Sequence, residues 1–396
     1  MSKSLTSIRQ HPIIALAFRP AFLLGAFWAV ISIVLWLFML TKNWQPQHIM
    51  PMNIWHAHEM LFGFGAMIAT GFLMTAGQNW TGIPGLSGKP LAFLCLTWLV
   101  ARLGPFIADQ ALAWITLISA QILWWLGCIL SFSRQIILSR NKRNAFFILL
   151  LSTMMVFNIF ILLAAQHKEY QLANHLCQSM VLVFTLLIGS VGGRVIPFFT
   201  NTACNNKNGW LPPYFNILVL ISTLMGTAGF ILSGLTTMPF KPGWLMMLSG
   251  LLHLIRLYSW HHKLIWKMAL LWSLHLAYLA MAIGLILLGI SDLTNIIPFV
   301  DTLHIVAITA IAGMILSMMS RVSLGHTGRP LHLNSTMAIS FVFIFLAGLV
   351  RMLAPQSSDP MLVIMLSGGL WVASFTLFIY FYFPILTKPR LDGRLG

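Results

Sequence analysis

The chain reads as a succession of apolar runs, each about long enough to cross a bilayer, divided by short polar breaks. A helix rises about 1.5 Å per residue, so a hydrocarbon core of about 30 Å needs roughly 20 apolar residues. Runs of that kind cover 21–40, 55–76, 91–108, 112–132, 145–165, 172–196, 214–235, 242–258, 268–290, 303–319, 337–353 and 361–386. The third, eighth and tenth are short or broken by Pro and Gly. The pattern predicts an all-α polytopic membrane protein of about twelve transmembrane helices, a single membrane domain over 1–396 with short connections. The stretch before the first run lacks an early apolar core followed by a small-residue cleavage site, so that run is expected to be retained as a span.

Charge sharpens this picture. With both termini cytoplasmic, 18 of the 23 Lys and Arg fall on the cytoplasmic side; Lys42, Arg102, Lys168, Lys241 and Arg351 fall on the other. Cytoplasmic segments are enriched in Lys and Arg, and a missed helix would scramble the asymmetry. Composition agrees, with 59% hydrophobic residues, 8% charged residues and a mean hydropathy of +0.87. A soluble domain is about a quarter charged. The net charge of +16 could attract nucleic acid. However, the basic residues are spread between apolar runs rather than gathered on one face, so membrane lipid is the expected partner and nucleic acid is not. Cys95, Cys128, Cys177 and Cys204 are scattered without CxxC spacing, which argues against a disulfide framework, an iron–sulfur centre or a zinc knuckle.

Orientation gives depth to the histidines. Helix 2 opens on the outer side with WHAHEM, carrying His56, His58 and Glu59; helix 6 opens there with His175 and helix 10 with His304. Ionisable groups in a span are costly and mark working sites, and neutral imidazole is a common ligand of haem iron and copper. These five residues form the candidate metal set, with His58 and His304 the preferred outer pair. On a regular helix of about 100° per residue, His56 and Glu59 share a face and His58 points elsewhere. His58 then serves one metal, while His56 with Glu59 serves a second site or supports the first. The competing reading is an interfacial, water-exposed helix start. His275, about two turns into helix 9, needs a metal, a neighbour such as Tyr278, or water. His253, His261, His262, His326 and His332 are expected to be solvated or to face headgroups.

A period of four helices runs through the same positions. Helices 2, 6 and 10 finish on the inner side in TAGQNWTGIPG, GGRVIPFFTN and SRVSLGHTGRP. His58, His175 and His304 lie 117 and 129 residues apart, about the length of four helices with short loops, which raises an arrangement of three groups of four. The inner motifs set Arg194, Arg321 and Arg329 beside glycines. Such segments either cradle an anion, such as a haem propionate or lipid phosphate, or pack closely and anchor the cytoplasmic boundary. The 23 Met and 15 Trp suit apolar filler and interfacial belts and carry no function.

The segments LAFRPAFLLGA, WHAHEMLFGFGAMIATGFLMTAGQNWTG, GGRVIPFFT, LLWSLHLAYL and SRVSLGHTGRPL resemble the NnrS family along nearly the whole chain. The resemblance implies a bacterial inner-membrane protein associated with haem and copper, in the nitric oxide response that accompanies denitrification or nitrosative stress. Nitric oxide is the ligand it implies. Residue by residue it points to His56, His58, Glu59, Arg194, His275, Arg321, His326 and Arg329. Haem–copper oxidases also have twelve helices, with histidine ligands on helices 2, 6, 7 and 10. Here helix 7 contains no histidine, so their three-histidine copper site is not reproduced, and likeness of fold does not transfer function.

The leading expectation is a haem- and copper-containing membrane protein that binds nitric oxide or protects cellular iron from it. A twelve-helix secondary transporter, of a metal or of haem, is the main rival, and a membrane assembly partner without chemistry is the third. Coupled transporters often carry carboxylates at midplane, and none of the seven acidic residues here is expected mid-helix.

Overall fold

The computed structural model describes residues 11–42, 44–45, 49–205 and 210–393, which form twelve helices and, among the described residues, no strand. These are α1 Phe18–Lys42, α2 Met52–Thr81, α3 Gly88–Leu103, α4 Gln110–Leu138, α5 Phe146–Gln166 and α6 Tyr170–Cys204. They continue with α7 Tyr214–Ser233, α8 Gly243–Tyr258, α9 Ala269–Thr294, α10 Phe299–His326, α11 Ser335–Met352 and α12 Pro360–Thr387. Ten are long and apolar enough to cross a membrane. The other two, α3 and α8, have 16 residues each and reach about 24 Å.

Local chemistry sets the helix ends. Asp109 and Asp359 accept from the backbone N–H of Leu112 and Leu362 at 2.7 and 3.0 Å, capping α4 and α12. Asn205 and Asn295, in left-handed conformation, close α6 and α9. The expected sixth span stops at 196, before Pro197. Instead α6 runs through Pro197 to Cys204, because its last two turns are held by packing: the Arg321 guanidinium of α10 lies 3.7 Å over the Phe199 ring. The expected tenth span, 303–319, is likewise longer, covering 28 residues.

Burial separates a centre from a rim. Of the most apolar stretch of α2, 83% is buried, against 61% in α6, 67% in α9 and α10, and 28% in α12. Leu130, Ile137 and Leu149 on α4 and α5 turn outward and are more than half exposed, as a lipid-facing surface requires. The rim closes on itself where α12 packs along α1 and Trp371 Nε1 donates to the Ala29 carbonyl at 2.9 Å.

The helices four apart in sequence, α2, α6 and α10, run parallel through the middle. Near their beginnings Asn53 donates to Asn174 at 2.9 Å. Near their finishes Asn79, Arg194 and His326 line one cavity. Two of the three leave α geometry for a wider π turn, α2 over Glu59–Gly65 and α10 over Ile305–Ala312, each directly after a histidine. Single π segments inside helices occur mostly at functional sites.

Candidate functional site

Glu59, at the first residue of the π turn of α2, is buried and fully engaged. Its Oε2 accepts from Trp28 Nε1 of α1 and from Arg102 Nη1 of α3, both at 2.7 Å, and its Oε1 accepts from His58 Nδ1 at 2.9 Å. A buried charge persists only when paired and hydrogen-bonded, and the Arg102–Glu59 ion pair meets that condition at 0% and 1% side-chain exposure. Gly63, one turn on, makes the space: a Cβ there would stand 2.5, 2.7 and 2.7 Å from Trp28 Nε1, Arg102 Nη1 and Glu59 Oε2.

This geometry corrects two sequence expectations. Glu59 pairs with His58, not with His56, because Trp28 and Arg102 draw the carboxylate to their side. His58 therefore sits inside an ion-paired core rather than at an open site. With Nδ1–H given to the carboxylate, its Nε2 keeps a lone pair and is buried without a hydrogen-bond partner.

His56 is the histidine that turns towards α10. It is half-buried, stacks on Trp36 of α1 with centroids 4.4 Å apart, and lies within electrostatic reach of His304 and Arg351. Its Nδ1 is buried and makes no hydrogen bond. His304 donates from Nδ1 to the Val300 carbonyl at 2.6 Å, which fixes Nε2 as its free lone pair, the arrangement that prepares a histidine to ligate. Asp301, one turn before, is tied to Arg351 of α11 at 2.8 Å. Of the two α2 histidines, His56 is thus the one within electrostatic reach of His304. Among the described residues no three His, Cys, Asp or Glu side chains gather as a metal-holding group, so His56, His58, Glu59, His175 and His304 do not form one centre.

The remaining candidates are dispersed. His175 places Nε2 3.1 Å from the Ile231 carbonyl of α7 and stacks on Phe230 at 4.8 Å. His275 bonds the Leu271 carbonyl through Nδ1 at 2.9 Å, and its Nε2 lies 3.5 Å from Thr200 Oγ1. Arg321 is buried against Phe199, and Arg329 reaches the Thr327 carbonyl at 3.4 Å. Arg194 and His326 are brought together by a cavity of about 570 Å³ between the finishing ends of α2, α6 and α10.

Sequence reasoning missed a second buried network. His253 of α8, expected to be solvated, is fully buried, and Tyr278 of α9 pairs with it rather than with His275. Arg256 donates to the Tyr278 hydroxyl at 3.3 Å and to the Gly189 carbonyl at 3.0 Å. Tyr278 donates to His253 Nδ1 at 2.7 Å, and His253 Nε2 donates to Thr223 Oγ1 at 3.0 Å. The available signal was the i, i+3 spacing of His253 and Arg256, which sets both on one face of α8. That face packs on α9, so it is a core face, not a solvated one.

Comparison with known proteins adds one match: the family model described as NnrS protein aligns with residues 12–390. No curated protein matches the chain.

Proposed function

The chain belongs to the NnrS family, and on that footing we propose that it is a bacterial inner-membrane haem protein of the nitric oxide response, with His56 and His304 as its iron ligands. The observation that carries this reading is the approach of these two imidazoles from separate helices, each with a ring nitrogen left unpaired. Haem iron takes histidine nitrogen and binds nitric oxide where a coordination position opens, so one of the two imidazoles would have to give up its place to the gas. The two imidazoles supply the nitrogen donors that such iron would take. Val300 holds the His304 tautomer, Trp36 holds the plane of His56, and the Asp301–Arg351 pair keeps a neutralised charge beside them.

Copper fits less well. Both Glu59 oxygens are committed to Trp28, Arg102 and His58, and among the described residues no group of three donors gathers around the free Nε2 of His58. The Lys and Arg distribution supports cytoplasmic termini, which would set His56 and His304 at the outer face.

Purified protein should carry stoichiometric iron and a Soret band that shifts with nitric oxide. His56→Ala and His304→Ala should each lose the band, while His175→Ala keeps it. A folded protein without iron or Soret absorption sinks the reading. The open cavity at the other end of α2, α6 and α10 favours a second reading, transport of a metal or haem, and uptake into vesicles by iron-free protein would establish it. Against it, Glu59 has no free oxygen with which to carry a coupling proton.

A further inference from the structure

The cavity at the finishing ends of α2, α6 and α10 has a marked chemical asymmetry. Its polar wall carries Arg143, Arg194, Asn79, Asn144 and His326, and among the described residues no Asp or Glu lines it. Arg194 donates to Asn144 Oδ1 at 2.6 Å and lies over the Phe147 ring at 5.3 Å, so the guanidinium is positioned but not neutralised. Arg143 and Arg256 both stand near enough to repel it. The dipole of α6 does not remove this surplus: it acts within the last turn, and Arg194 precedes the end of α6 at Cys204 by ten residues, about 15 Å.

The opposite wall is apolar and leads inward. Phe72, Val191, Val195 and Met318 border both this cavity and a narrower cleft of about 70 Å³ that continues between the same three helices as far as Ile311 in the π turn of α10. A compact anion would use the arginines and leave the cleft unfilled; a neutral lipid would leave the arginines unpaired. An anionic head on an apolar body satisfies both.

We propose that this cavity binds an anionic phospholipid, its phosphate between Arg143 and Arg194 and an acyl chain entering the cleft between α2, α6 and α10. Arginine suits the role because its planar donors match phosphate oxygens in pairs. None of these residues belongs to the His56–His304 pair, so this site stands or falls separately from the haem reading.

The test uses the full chain in nanodiscs of phosphatidylcholine, titrated with short-chain phosphatidylglycerol and followed by native mass spectrometry. We expect one saturable phosphatidylglycerol site. Arg143→Gln should weaken it about tenfold or more, the scale of losing one charge-assisted hydrogen bond. Arg143 is exposed, so this variant keeps the fold and decides the matter even if Arg194→Gln fails to fold. Unchanged affinity in Arg143→Gln, or phosphatidylcholine binding equally well, overturns the proposal. Inorganic phosphate competing at the same concentration as the lipid also overturns it, because the apolar cleft would then contribute nothing.

Discussion

Two arginines are buried in the helical core by opposite means. Arg102 in the first third of the chain faces a carboxylate, and with Glu59 it makes a neutral pair closed by Trp28 and His58. Arg256 in the second half bonds a carbonyl and a phenol and lies over the Trp260 ring, and the phenol carries the chain on to His253 and Thr223. Both solutions provide hydrogen bonds. Only the first cancels charge. In a medium of low dielectric that difference matters more than the number of bonds. The uncancelled charge also has a location: Arg256 lies beside Arg194, on the side of the basic cavity. The Glu59 centre accordingly has the character of a structural clamp, whereas the Arg256 centre contributes to a positive field that an incoming anion can use.

Breaking the neutral pair should have the largest effect. Arg102→Met leaves the Glu59 carboxylate buried and uncompensated, at a cost of about 3–5 kcal/mol. We expect a large fall in thermal stability in detergent, partly restored by adding Glu59→Gln. No recovery in the double variant would mean that the two residues act independently.

Next comes Gly63→Ala, which pushes a methyl group onto the Trp28, Arg102 and Glu59 atoms at once. Overpacking of this kind costs about 1–3 kcal/mol. Gly193→Ala meets one side chain, the guanidinium of Arg256, and disturbs its two hydrogen bonds but no ion pair, so it should cost less. Melting curves of the two variants side by side check that order.

Arg256→Met should cost about 1–2 kcal/mol, because it leaves a carbonyl and a phenol short of a donor but strands no charge. If it proves as damaging as Arg102→Met, the distinction between the two centres fails. Tyr278→Phe is expected to be the mildest, at about 1 kcal/mol, since it interrupts the chain from Arg256 to His253 with little change of volume. Its distinctive readout is the His253 ring NMR signal, which should move in Tyr278→Phe and stay in place in Tyr382→Phe.

Much of the fold is written in the chain. Twelve apolar runs predict twelve helices, and the two shortest helices, α3 and α8, are among the runs marked as short or broken. Helix ends at prolines were less legible: α6 passes Pro197 because Phe199 packs under Arg321, a contact between residues 199 and 321 that no local pattern reveals. The site was legible in part. WHAHEM pointed to α2, and the spacing of helices 2, 6 and 10 anticipated the central trio. Arg102, counted as an outer charge, is a core residue because its partner lies 43 positions earlier in the chain.

The sequence by itself therefore determined what a membrane imposes segment by segment: the length, number and apolar character of the helices, since each must satisfy its own backbone in lipid. It also determined which helices carry histidine and arginine. Only the tertiary structure decided where those side chains go. His56 and His58 differ by two positions and by no chemistry, yet one stacks on Trp36 and faces α10 while the other is locked to Glu59. The two rings leave a regular turn of α2 about 200° apart, and the groups that choose what each meets, Trp36 for His56 and Trp28 and Arg102 for the His58–Glu59 pair, come from other helices.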